Sequence, residues 1–180
     1  MRTTGVLAFT LGCLSVAGCY HVTLEPIAPV AAERLPIAAR VDVPAATATA
    51  IYEVHSGMAG FANSWTIDVG KAIVQYAGAY LPNAFMPGGD VTVRVELATF
   101  DVHDFEAHAA MRFTVVRGEQ AIYDKTYQCR GEGYAARVVW GGAFAMKSAM
   151  RKTTDEALRM CFSQFLDDAR VEHPTWVASS

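Results

Sequence analysis

Between residues 91 and 129 apolar and polar side chains alternate almost without a break, a period that a sheet with one wet face satisfies. Val91, Val93, Val95, Leu97 and Thr99 share one side of the first run, and Thr92, Arg94, Glu96 and Ala98 the other. The second run turns Phe105, Ala107, Ala109, Met111, Phe113 and Val115 inward. Arg117-Gly118-Glu119 then reverses the chain, and residues 121–129 return with Tyr123, Tyr127 and Cys129 on one side. A slip of one residue would send every apolar side chain to water, so the pattern predicts a three-strand meander of defined register.

Helical spacing flanks the meander. Trp65, Val69, Ala72, Ile73, Tyr76, Ala77 and Tyr80 recur at three and four residues, which predicts a helix capped by Asn63 or Ser64. Asp68 would favour its first turn, and Leu81-Pro82 would end it. A second stripe, Met150, Thr154, Ala157, Leu158, Cys161, Phe162, Phe165 and Leu166, predicts a helix from about residue 144 to 170. Gly131, Gly133, Gly141 and Gly142 bracket a tightly turning or mobile segment around 134–140. Upstream, residues 37–43 and 48–54 read as short strands. The expected fold class is α+β: a two-layer sandwich in which two amphipathic helices pack on one face of an antiparallel sheet.

The first residues have an export pattern. Arg2 precedes an apolar run from Val6 through Leu14 to Val16, and small Ala17 and Gly18 stand directly before Cys19. An ordinary secretory signal would also place small residues there. The reading divides the chain into a signal at 1–18, a tether at 19–36, one α+β domain at 37–170 and a tail at 171–180. Pro26, Pro29 and Pro36 support the tether, although residues 21–25 could pair at a sheet edge.

A net charge of −3, with only 18% charged residues, carries no basic cluster of the kind nucleic acid demands. No later stretch is apolar for the roughly 20 residues a membrane-spanning helix needs. Cys129 and Cys161 are candidates for a disulfide in an oxidising compartment; two buried free thiols would fit equally. His103, Asp104, Glu106 and His108 form the one ionisable cluster. On a continuous strand Asp104, Glu106 and His108 would share a face and could converge on a metal. They fall where two strands must join, so a solvated hairpin connection explains them and no metal or other cofactor is expected. Neither a Gly-x-Ser-x-Gly elbow nor a glycine-rich phosphate cradle is present, and no enzyme is expected. Trp65, Tyr76 and Tyr80 read as core. Trp140 and Trp176, in a loop and a tail, would be partner or membrane contacts or simple packing. The candidate partner surface is the open sheet face with the glycine-rich loop: Arg94, Glu96, Arg112 and Trp140.

The run into Cys19 resembles the lipobox of bacterial lipoproteins. That resemblance implies diacylation of the Cys19 sulfur and cleavage before it. Tyr20 in the next position, rather than Asp, implies sorting to the outer membrane. From Val91 to Arg170 the chain is similar to small envelope lipoproteins of the YajG type. The likeness rests on Val91-x-Val93-x-Val95, the strand end from Tyr127 to Gly133, and Gly142-Ala143-Phe144 leading into a helix with Thr154-x-x-Ala157-Leu158. It is also similar to auxiliary lipoproteins of ABC-type transport systems and, more distantly, to the lipoprotein of lipopolysaccharide assembly. These likenesses imply a membrane-anchored, periplasm-facing accessory or scaffold that binds an envelope protein or its own copies. The alternative is a carrier or sensor holding a lipidic or glycan ligand between helices and sheet.

Overall fold

The alternating runs and helical stripes order into two sheets and three helices among the described residues of a computed structural model. It describes residues 20–31, 33–56, 63–133 and 135–178; the signal and Cys19 lie outside the described residues. In chain order the elements are β1 (Tyr20–Val22), β2 (Ala38–Asp42), α1 (Ala45–Ala48), β3 (Tyr52–Ser56), β4 (Asn63–Ile67) and α2 (Val69–Ala84). They continue with β5 (Met86–Pro87), β6 (Val91–His103), β7 (Glu106–Arg117), β8 (Gln120–Arg130) and α3 (Ala135–Ala178).

The fold is an α+β sandwich. The large sheet runs β5-β2-β6-β7-β8 and the small one β1-β4-β3. The meander β6–β7–β8 is antiparallel, as the alternation predicts. The N-terminal strands differ: β2 joins β6 and β5 in parallel, and β1 joins β4 in parallel. Each of these pairs is linked by a crossover rather than a hairpin, and local alternation carries no information about such partners.

Register corrects one face assignment. Leu97 opposes Met111 but Thr99 opposes Ala110, so Ala98 is an extra residue in β6. A bulge exchanges the faces beyond it. Phe100 and Val102 therefore pack on the core, whereas Thr99, expected inward, is exposed. The hairpin that follows closes through Asp104 and Phe105, both with positive φ (50° and 63°), the two-residue turn whose twist suits paired strands.

Trp65 is core, yet it belongs to β4 and not to a helix. Asn63 and Ser64 are strand residues, and Asp68 occupies the N-cap of α2. Trp65 and Ile67 are buried on either side of half-buried Thr66, a period of two that merges with the helical stripe starting at Val69. Pro82 does not stop α2. It sits exposed in the last turn, where it removes one backbone bond, and the helix closes with Phe85 N–H donating to Leu81 at 3.0 Å.

The helix α3 is longer than its stripe at both ends. It absorbs the glycine-rich segment and passes Pro174, so the expected tail is helical to Ala178. Trp176 is 1% exposed against Tyr123 and Phe165, with centroids 5.3 and 6.5 Å away; it is packing, not a surface contact. The backbone of Gly131 abuts that of Thr153, where any Cβ would overlap the Thr153 carbonyl. From Gly131 the chain can reach Ala135 only within about 14 Å. A straight helix would hold Ala135 about 27 Å from Thr153. The helix therefore bends between them, and Gly141-Gly142 lies in that stretch.

The expected tether is also folded. Val22, Leu24 and Leu35 are buried, and the segment runs along α2. Val30 N–H donates to Ala79 (3.0 Å), Leu35 N–H to Ala84 (2.7 Å), and Asn83 Nδ2 to the Val30 carbonyl (3.1 Å). Arg151 of α3 holds Glu25. The first residues pair as β1, and beyond them the prolines do not prevent docking through these apolar side chains.

Candidate functional site

The inner face of the large sheet is committed to packing. Phe113 stacks on Phe165 at 4.4 Å and meets Phe162 edge-on at 5.3 Å, while Tyr76 of α2 stacks on Phe162 at 5.6 Å. Side chains thus occupy the helix–sheet interior at the level where a carried ligand was the alternative expectation. The polar side chains of the large sheet lie on its outward face.

There β2, β6, β7 and β8 bring Asp42, Arg94, Thr114 and Asp124 into one register row, and Glu96, Arg112 and Thr126 into the next. Arg94 Nε donates to Asp42 Oδ2 at 2.9 Å. Arg112 reaches diagonally to Asp124 with both oxygens engaged, at 2.7 and 2.5 Å. The hydrogen bonds from Asp124 hold the Arg112 guanidinium above the usual arginine range, and those from Arg112 hold the Asp124 carboxyl below its own. Such a fork is geometrically ordered, so this face has a fixed charge pattern although its ion pairs are exposed and individually weak.

Arg94, Glu96 and Arg112, singled out from sequence, therefore share one surface. Trp140 lies in the N-terminal stretch of α3, and the placement of its side chain is outside the described residues. Cys19 is outside them too. Cys129 and Cys161 are joined by a disulfide, with Cα atoms 5.7 Å apart, that clips β8 to α3.

The hairpin cluster does not converge. Asp104 is in the turn, where it meets His103 at 3.4 Å. Glu106 and His108 stay on the outward face, and Glu106 is held by Arg130 (3.3 Å) as well as by His108 (3.7 Å). Among the described residues no group of three His, Cys, Asp or Glu side chains is arranged to hold a metal. Beside this cluster Thr99, Asp101, His108, Gln128 and Arg130 line an open depression of about 490 Å³ on the outward face.

No family model matches the sequence, and no curated protein matches it. XCC0632 from Xanthomonas campestris, described as a DUF330 protein, aligns with a TM-score of 0.41 and 13% identity, over 86% of this chain and 99% of that one. The hypothetical protein CT253 from Chlamydia trachomatis aligns with a TM-score of 0.33 and 10% identity, over 83% and 96%.

One polar constellation escaped the sequence reading. Asp168 Oδ2 accepts from Lys125 Nζ (2.5 Å), Tyr127 (2.6 Å) and Tyr123 (3.2 Å), and the two phenols meet at 2.5 Å. Bonds from Lys125 and Tyr127 keep the Asp168 carboxyl below the carboxylate range, whereas burial and the bond to Asp168 push the Tyr127 phenol up. A carboxylate held charged beside phenols held neutral braces β8 against α3. Tyr123 and Tyr127 were visible on one strand face; nothing in the sequence singles out Asp168.

The edge of β6 beyond β2 is managed by side chains. Leu97 N–H donates to Thr47 Oγ1 at 3.0 Å, and Val102 N–H to Tyr52 Oη at 3.3 Å, while Tyr52 donates to Asp101 at 2.5 Å. These contacts give backbone donors that β2 does not reach a partner inside the chain.

Proposed function

We propose that this chain is a lipoprotein anchored to the outer membrane through Cys19, facing the periplasm and acting as a non-catalytic accessory or scaffold of an envelope assembly or transport system. Its kinship, on this reading, is with YajG-type and ABC-transport auxiliary lipoproteins. The lipobox-like run ending at Cys19 supports the anchor. The observation that carries the accessory role is the ordered outward face, where the Arg94–Asp42 and Arg112–Asp124 pairs set a charge pattern on a sheet whose other face is core. A sheet face of this kind recognises a complementary surface of another envelope protein or of a second copy.

Two measurements test the reading. Metabolic labelling with palmitate should tag the protein and fail with Cys19→Ala. Crosslinking in the envelope, followed by detergent extraction, should recover a stoichiometric partner or homo-oligomer. Reversing both charges (Arg94→Glu with Arg112→Glu) should abolish that product while circular dichroism stays native. A clean monomer in the unaltered protein would refute the accessory role.

A further inference from the structure

Residues 20–36, which read as a tether, are bound to the body from the first described residue. The strand β1 starts at Tyr20, one peptide beyond Cys19, and Val22 is fully buried within it. Past β1, the docked segment along α2 and the Arg151–Glu25 pair leave no free spacer. An anchor at Cys19 therefore has only one Cα–Cα step, about 3.8 Å, between the acylated residue and a strand held in a sheet.

That step decides which end of the molecule meets the bilayer. Because β4 is parallel to β1, and β3 antiparallel to β4, the start of β1, the start of β4 and the end of β3 lie at one end of the small sheet. Tyr20 opposes Trp65, and Ser56 opposes Asn63 beyond it. The described strand residues at this end also lack formal charge: none of residues 54–56 and 63–67 is Lys, Arg, Asp or Glu. An uncharged strand end approaches a lipid interface without the desolvation cost an ion would incur.

We infer that the end of the small sheet marked by Tyr20, Ser56 and Asn63 rests on the surface of the bilayer that holds the lipid, so the body is carried in one orientation rather than swinging on a leash. This rests on the lipoprotein reading and adds a lipid surface as a docked partner. In this pose the ends of β3 and β4 lie at headgroup level. The opposite ends of the same strands, with Tyr52 and the N-terminus of α2, point away from it.

The test uses the full lipidated protein in vesicles of phosphatidylethanolamine and phosphatidylglycerol doped with a headgroup-nitroxide lipid. A fluorophore is attached through Ser56→Cys or, as the remote control, Glu119→Cys. Cys129 and Cys161 are bridged and the Cys19 sulfur is acylated, so each protein carries one reactive thiol. Glu119 lies in the turn beside the Arg117–Val91 pair, about 30 Å along β6 from Asp101, where Tyr52 of β3 is bonded. The probe at residue 56 should be quenched and that at 119 should not. Inserting a ten-residue Gly-Ser spacer after Tyr20's predecessor, Cys19, adds about 18 Å of flexible reach and should remove the difference. Equal quenching at both positions without the spacer, or quenching at 56 that ignores the spacer, overturns the pose. Intact mass is read on the same samples: a Cys19 without its diacylglyceryl group would overturn the lipoprotein reading itself, and the pose with it.

Discussion

Cys129 and Cys161 tie the last sheet strand to the long helix, with 32 residues of separation and 5.7 Å between their Cα atoms. Both cysteines are buried, and the bridge joins layers that also share the Phe113–Phe165 stack. The clip therefore reinforces an interface that hydrophobic burial already favours, and its chief effect falls on the unfolded chain.

Closing a loop of this length stabilises by about 3–4 kcal/mol in the chain-entropy account. The Cys129→Ala/Cys161→Ala double variant should remain folded and lose about that much in urea titration. Reductant should lower the midpoint of the unaltered protein and leave that of the double variant unchanged. Coincident curves for all four samples would remove the bridge from the stability of this fold.

Asp168 gives the pH prediction. Its folded carboxyl lies below the unfolded value of about 3.9, so its contribution is complete above that pH and fades as pH falls through the folded value. Asp168→Asn loses charge-assisted bonds to two part-buried phenols, which should cost about 1–2 kcal/mol at pH 7. The gap between the two proteins should close on acidification below pH 4. A gap that is constant from pH 7 to pH 2.5 would show that the carboxylate charge is irrelevant.

The phenols act at the other extreme. Burial raises Tyr76, Tyr80, Tyr123 and Tyr127 above the ordinary tyrosine value. Their neutral forms support the fold up to pH 10, and that support is lost as pH rises further, because the unfolded chain ionises first. Ultraviolet titration should show these phenols ionising together with alkaline unfolding rather than before it.

Gly131 is a packing requirement. A Cβ there would overlap the Thr153 carbonyl, and Thr153 Oγ1 also accepts Ala107 N–H at 2.8 Å. Gly131→Ala should cost about 1–3 kcal/mol because two backbones, not a pliable side chain, would have to separate. Gly118→Ala serves as the comparison, since its surroundings are open and its penalty comes only from its φ of +59°. A smaller loss at 131 than at 118 would contradict the close approach.

Trp176 makes the end of the chain part of the core. Trp176→Ala should destabilise by about 3–5 kcal/mol, and truncation after residue 170 by at least as much. Thermal melts decide this. Unchanged melting of the truncated chain would restore the reading of 171–180 as a tail.

Sequence by itself determined the features that repeat locally. Val91, Val93, Val95, Ala107, Ala109, Met111, Phe113 and Val115 face the core as their alternation required, and the stripes from Val69 and from Met150 are the buried sides of α2 and α3. Periods of two and of three to four survive in any context, because one wet and one dry face produce them. Arg94, Glu96 and Arg112 were legible as a surface for the same reason. Tertiary structure alone decided what depends on partners distant in the chain: the parallel seats of β1 and β2, the docking of Val30 and Leu35 on α2, and the burial of Trp176. It also placed the bulge at Ala98, which turned Thr99 outward, and brought Asp168 to Tyr123, Tyr127 and Lys125. None of these has a local period. Each follows from which surfaces remain to be covered once the meander and its two helices have packed.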